Sequence, residues 1–258
     1  MKQAIVWTSF GVTDIEAGKK SIGAAAQEIA AAFPAYEVRE AYTANFVRRK
    51  LREQGVTALS LEEVLGRLAA EGYEKALVQP SHLTPGEEYE NKILPTIDKY
   101  QKAFVILAVG KPLFAEESGC PQILATIYGL LELREGEAAV LLGHGSPHRH
   151  NPVYENLQRI ADENKWPLHI GVVERGDTPN FSMVLRRLKA DGCKNLLLAP
   201  LLVTGGVHVT EDMAGNSPDS WKSRLEGEGF SLRVNLRGLA EYPAFRKIYV
   251  DKLAKMAR

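Results

Sequence analysis

Gln79-Pro80-Ser81-His82-Leu83-Thr84-Pro85-Gly86-Glu87-Glu88 has a partner further along the chain, Ala199-Pro200-Leu201-Leu202-Val203-Thr204-Gly205-Gly206-Val207-His208. Pro80, Thr84, Gly86 and Glu88 fall on Pro200, Thr204, Gly206 and His208 at one constant offset of 120 residues. Two more pairs keep the same order. Thr43-Ala44-Asn45-Phe46 matches Thr178-Pro179-Asn180-Phe181, each soon followed by an Arg-Arg pair (Arg48-Arg49 and Arg186-Arg187). Ser9-Phe10-Gly11 matches Gly143-His144-Gly145. Self-similarity of this kind marks a repeated structural unit.

Each motif follows a short apolar run. Such runs predict strands at 4–9, 36–41, 76–80, 104–109, 138–142, 169–173, 195–200 and 232–236. Segments of helical period lie between them, clearest at 15–33, 61–71, 87–100, 152–164, 181–191, 220–228 and 243–256. Strand–helix alternation implies βαβ units and parallel sheet. A series of eight strands also fits a single barrel; the repeat decides for two halves. The expected fold is α/β: two similar Rossmann-like domains with four-stranded parallel sheets, related by a pseudo-twofold axis, with an active-site cleft between them. The join is expected near Leu133-Arg134-Glu135-Gly136. That gives an N-terminal domain at 1–135 and a C-terminal domain at 136–258, with the last helix packing back on the first domain.

Composition narrows the function. Lys+Arg and Asp+Glu both number 32, so the net charge is zero. Nucleic acid is therefore not expected as a partner, since its binders usually carry a basic excess. The two cysteines, Cys120 and Cys193, form neither a CxxC motif nor a disulfide framework, which suits a reducing compartment. No stretch approaches the ~20 apolar residues of a membrane span, and the N-terminus shows no secretory signal. The expected location is the cytoplasm. Oligomeric state stays open, a homo-oligomer included.

In open α/β sheets, ligands gather beyond the carboxyl ends of the strands. His144 lies there between two glycines, Glu174 ends the sixth strand, and His208 lies beyond the seventh. Glu88 comes from the other half. Two histidines and a carboxylate are an open set for a divalent transition metal, with coordination positions left for a substrate. Read singly, each residue has a plainer alternative. His144 could be capped by a loop carbonyl, Glu174 could pair with a neighbouring arginine, and Glu88 could be a first-turn carboxylate at a helix N-terminus. His82 could line the cleft, and His169 reads as structural. His148 and His150 read as a solvated loop. Ser146 beside His144 suggests hydrolase chemistry only weakly, because no Gly-x-Ser-x-Gly elbow surrounds it.

Taken together, Ser9-Phe10-Gly11, Gly143-His144-Gly145, Gly86-Glu87-Glu88-Tyr89-Glu90, and Asp212-Met213-Ala214 followed by Asp219-Ser220-Trp221-Lys222 resemble the anaerobic cobaltochelatases of the CbiK type. The likeness runs from end to end and includes Arg49-Lys50-Leu51 and Ala69-Ala70-Glu71-Gly72-Tyr73. These are ATP-independent class II chelatases, distantly related to ferrochelatase. The resemblance implies insertion of Co2+ into sirohydrochlorin, or its precursor precorrin-2, in cobalamin biosynthesis. Iron insertion for sirohaem is the enzymatic alternative, and a non-catalytic metal or tetrapyrrole carrier the other. The metal, whether cobalt, iron or nickel, is a substrate, and no nucleotide is implied. By position, His144, Glu174 and His208 resemble the metal-binding set, with His144 and Glu88 catalytic. Ser9, Phe10, Gly11, His82 and Thr84 are the candidate contacts to the macrocycle. Arg48 and Arg49 are candidate donors to its carboxylates.

Overall fold

The computed structural model describes residues 1–145, 152–174 and 176–258. The chain forms two compact units, Met1–Ala115 with Ala240–Arg258, and Glu116–Leu239.

The first unit opens with β1 (Gln3–Ser9) and a helix that begins as α1 (Ile15–Gly18), passes through a π-helical stretch (Lys19–Gly23) and ends as α2 (Ala24–Ala32). There follow β2 (Glu37–Tyr42), α3 (Asn45–Glu53), α4 (Leu61–Ala70) and β3 (Lys75–Pro80). A second π-helical stretch (Tyr89–Ile93) leads into α5 (Leu94–Tyr100), and β4 (Ile106–Val109) completes the sheet. The second unit holds α6 (Cys120–Leu130), β5 (Glu137–Gly143), α7 (Val153–Glu163), β6 (Leu168–Val172), α8 (Phe181–Asp191) and β7 (Asn195–Pro200). A third π-helical stretch (His208–Met213), α9 (Trp221–Gly227) and β8 (Ser231–Val234) follow. The last helix, α10 (Pro243–Ala257), belongs to the first unit.

Both sheets are wholly parallel and share one strand order, β2-β1-β3-β4 and β6-β5-β7-β8. The fold is therefore α/β, built twice, as the repeat implies. Registers agree in detail. Pro80 stands opposite Thr8 and Pro200 opposite Leu142. Ser81 N–H then donates to Thr8 O at 2.7 Å, and Leu201 N–H donates to Leu142 O at 2.8 Å. In this order, the chain leaves the first strand of each sheet toward one neighbour and returns to its other side. The loops after β1 and β3, and after β5 and β7, therefore diverge and open a crevice at the carboxyl edge.

The central strands read as unbroken apolar runs because helices cover both of their faces. Ala4, Ile5, Val6 and Trp7 are fully buried, as are Ala139, Val140 and Leu141. Local signals start the helices where they begin. Ser60 and Glu63 form a reciprocal capping box at α4, and the Asn180 side chain accepts from Met183 N–H at 3.2 Å at the start of α8.

The division between units differs from the expected join at 135/136. α6 packs on α7, Tyr128 stacks on Trp166 with ring centroids 4.8 Å apart, and Arg159 pairs with Glu117 at 3.2 Å. These contacts tie the chain from Glu116 onward to the second unit. At the other end, α10 buries Phe245, Tyr249 and Leu253 in the first unit. Its Tyr249 ring meets Trp7 edge-on at 4.8 Å, and Arg246 Nε donates to Glu28 at 2.8 Å. Two helices, α3 and α6, fall outside the clearest sequence predictions. α3 is short and carries only Val47 and Leu51 as a buried stripe among five charged residues.

Candidate functional site

His144 follows β5 directly, and its two glycines serve different ends. A side chain at Gly143 would place its Cβ 2.3 Å from the Tyr154 ring, which packs flush against the backbone there. Gly145 has φ of +85°, a conformation that costs other residues energy. A Cβ at Gly145 would also lie 2.8 Å from Asp177 Oδ2, 3.0 Å from Glu174 Cβ and 3.1 Å from Val172 Cβ. Gly145 N–H donates to the Tyr154 hydroxyl at 3.3 Å, and burial pushes that phenol up. Gly145→Ala is thus expected to destabilise the protein by about 1–3 kcal/mol and to displace His144. Urea unfolding compared with wild type checks this; an unchanged midpoint would contradict it.

The imidazoles of His144 and His208 meet edge to face, with ring centroids 4.5 Å apart and planes at 84°. His144 Nδ1 lies 2.8 Å from Gly145 O, and His208 Nδ1 lies 2.6 Å from Asp212 Oδ2. A carbonyl or carboxylate oxygen only accepts, so in both rings Nδ1 carries the proton. A ring whose one proton sits there has its lone pair on Nε2, the form in which histidine binds metal. Of the three metal-binding residues expected from sequence, His144 and His208 lie side by side. Glu174 is exposed, and its N–H donates to His144 O at 2.9 Å. Among the described residues, no three His, Cys, Asp or Glu side chains form a metal-holding group. The bond from Glu174 has a counterpart in the first unit, where Ala44 N–H donates to Phe10 O at 3.4 Å. By this backbone bond Phe10 stands where His144 does and Ala44 where Glu174 does, so the second unit carries extra residues between Glu174 and the Asn180 that matches Asn45.

In the first unit, the corresponding edge is lined with polar groups that lack partners. Thr8 Oγ1, Ser9 Oγ, Thr43 Oγ1, both ring nitrogens of His82 and Glu88 Oε2 are buried without a hydrogen bond among the described residues. Buried polar atoms of this kind are uncommon and call for a partner. Phe10, beside Gly11 in the turn after β1, is 50% exposed. Thr84 lies half-buried in the turn after β3. Glu88 is anchored by one oxygen only: Lys92 Nζ donates to Oε1 at 2.5 Å and also reaches Thr43 O at 3.3 Å. The Tyr249 hydroxyl of α10 donates to Ser81 O at 2.5 Å, which fixes the backbone immediately before His82.

Burial drives His82 down to about 4, against the pull of the Glu88 carboxylate and with the push of the Lys92 ammonium. Its imidazole is therefore neutral at physiological pH. The unfolded chain binds the proton near the ordinary value of 6.5. His82 thus contributes stability that is full above about pH 6.5 and is lost as pH falls through 4, roughly 3 kcal/mol in all. His169, also depressed by burial and 3.3 Å from Asp191, acts in the same direction. The expected outcome is a urea midpoint that drops between pH 7 and 4, with a shallower drop in His82→Gln. An identical pH profile in that variant would contradict the assignment.

Other sequence candidates fall elsewhere. Arg48 pairs with Glu63 at 3.1 Å, and Arg49 lies over the exposed Phe46 ring at 5.5 Å. Together with Asn45, Arg52 and Glu53 they line a groove of about 390 Å³ on α3. His169 is buried in β6, in keeping with a structural role. Cys120 is buried and Cys193 half-buried; both are free thiols. Ser146, His148 and His150 lie outside the described residues. No helix among the described residues is long and apolar enough to cross a membrane. Two partners went unread as such in the sequence. One is Lys92, which holds Glu88, and the other is Asp212, which holds His208. The signal was available, because Lys92 and Asp212 are themselves 120 residues apart.

Comparison with known proteins agrees with this geometry. The sequence matches the cobalt chelatase (CbiK) family model over residues 3–258. It is 31% identical over 255 residues to sirohydrochlorin cobaltochelatase of Salmonella typhimurium, spanning 98% of this chain and 96% of that protein. It is 32% identical over 256 residues to sirohydrochlorin cobaltochelatase CbiKC of Nitratidesulfovibrio vulgaris, spanning 98% of this chain and 89% of that one. Among solved structures, SirB from Bacillus subtilis with Fe3+ is similar in fold, with a TM-score of 0.65 at 17% identity, covering 100% of this chain and 96% of that one. The doubled four-stranded fold, the paired histidines and the end-to-end match agree: the chain belongs to the cobalt chelatase (CbiK) family.

Proposed function

We propose that this chain inserts Co2+ into sirohydrochlorin without a nucleotide, as a soluble cytoplasmic enzyme. The observation that carries the site assignment is the His144–His208 pair, whose Nδ1 atoms are engaged and whose Nε2 lone pairs are left for a metal. Three or fewer protein ligands suit a metal that must be passed on. Thiolates, which would hold it tightly, are not part of the proposed set. Glu174 turns in to complete that set when the ion arrives.

Insertion requires two pyrrolic protons to leave and a partly hydrated ion to enter. A flat macrocycle points its nitrogen lone pairs inward, so binding energy is well used in bending it. Glu88 accepts protons through its unanchored Oε2, as general base. The unpartnered groups of Ser9 and His82 meet polar groups of the substrate, Phe10 and Gly11 contact the ring, and Thr84 lines the same edge. Arg48 and Arg49 receive its carboxylates.

Steady-state metalation of sirohydrochlorin, followed by absorbance and run with Co2+, Fe2+ or Ni2+ in the absence of nucleotide, tests the reading. Turnover with Co2+ is the expected result. Stable metal retention without turnover would point to a carrier, and preferred turnover with Fe2+ to sirohaem synthesis.

A further inference from the structure

The two π-helical stretches that follow β3 and β7 carry the same device with different chemistry. At the first, Glu88, the residue just before the stretch, pairs with Lys92 four residues on at 2.5 Å; in the second, His208 and Asp212 pair four residues apart at 2.6 Å. Each helical start is set identically. Tyr89 and Glu90 N–H groups donate to Gly86 O, and Val209 and Thr210 N–H groups donate to Gly206 O. π-Helical turns of this kind recur at functional sites. One turn of such a helix brings residues four apart onto a common face, where a donor and a carboxylate can meet.

We infer that Asp212 is a positioning residue for the metal, holding His208 in the Nδ1–H tautomer with Nε2 presented beside His144. This rests on the proposed metal-handling role of His208. The carboxylate does three things at once. It fixes which nitrogen carries the proton, it restrains ring rotation, and its negative charge makes Nε2 a stronger donor. His208 and Asp212 side chains are each about half exposed, so water would otherwise compete for Nδ1 and leave the tautomer undecided. Gly145 O performs the same service for His144 with an uncharged acceptor. Asp212 thereby makes the two imidazoles unequal metal donors, with the charged acceptor behind His208.

Asp212→Ala and Asp212→Asn separate this role from mere structure. The asparagine carbonyl still accepts from Nδ1–H but carries no charge. Co2+ affinity by isothermal titration and the kcat and KM for Co2+ and sirohydrochlorin are measured, alongside thermal stability. The expected result is Co2+ affinity weakened about 10–100-fold in the alanine variant, less in the asparagine variant, with KM for sirohydrochlorin and Tm unchanged. Wild-type Co2+ affinity and KM in both variants would overturn the inference. Should Asp212→Ala unfold, the asparagine variant alone decides. His208→Ala distinguishes the two levels: if that variant also binds Co2+ normally, the metal-site reading itself fails. If it binds poorly while both Asp212 variants bind normally, only the positioning role fails.

Discussion

Replacing His144 by alanine is expected to lower the rate of cobalt insertion by at least ~100-fold, while folding and tetrapyrrole binding stay close to wild type. The magnitude follows from removing one of two imidazole donors at a site with few ligands to spare, where each donor counts for more than in a closed structural site. Folding should survive because the ring makes no buried contact that the core depends on. Its polar contact is with the carbonyl of the next residue, and its neighbour is the half-exposed His208. The strand below it, from Glu137 to Gly143, is fully buried and does not involve the imidazole. Absorbance-monitored metalation, with tetrapyrrole binding measured separately, checks the prediction. Full turnover in this variant would remove His144 from the mechanism.

Glu88→Gln is the second large effect. It is expected to slow insertion by about 10²-fold, a typical contribution of a positioned general base, and to leave Co2+ affinity unchanged. The two parts have different causes. Glutamine keeps the shape of the side chain and still accepts from Lys92, so the anchored oxygen loses little. What it lacks is the ability to take a proton at the position of Oε2, which is buried and unpartnered. Single-turnover metalation against direct Co2+ titration separates the two quantities. A variant that binds Co2+ poorly but inserts it at the normal rate would place Glu88 among the metal ligands instead.

Most of the fold was legible in the sequence, for a physical reason. Strands buried on both faces must be continuously apolar, and β1, β3, β5 and β7 stand where such runs occur, whereas the edge strands β2 and β8 carry charged residues and are only partly buried. The offset of 120 residues located the equivalent turns after β3 and β7, and there the structure repeats the same hydrogen bonds from Gly86 and Gly206. The paired histidines were legible because each lies beyond a strand end flanking one crevice. The roles of Lys92 and Asp212 were missed although their spacing repeats that of Glu88 and His208, since each looks like any charged residue on an exposed helical turn until its partner is seen. That His144 lies between two glycines was plain, but not that Gly143 serves the close approach of the Tyr154 ring. The unit boundary escaped because α6 is assigned by packing on α7, a long-range contact that leaves no local mark at Glu116.

The central claim is that His144 and His208 present their Nε2 atoms to one cobalt ion. Anomalous diffraction at the cobalt edge, from crystals of the full chain grown with Co2+, tests it directly. The account predicts a single strong peak about 2 Å from both Nε2 atoms, the length of an imidazole–metal bond, with Glu174 turned toward it. A strong peak held elsewhere, with the His144–His208 pair empty, would contradict it.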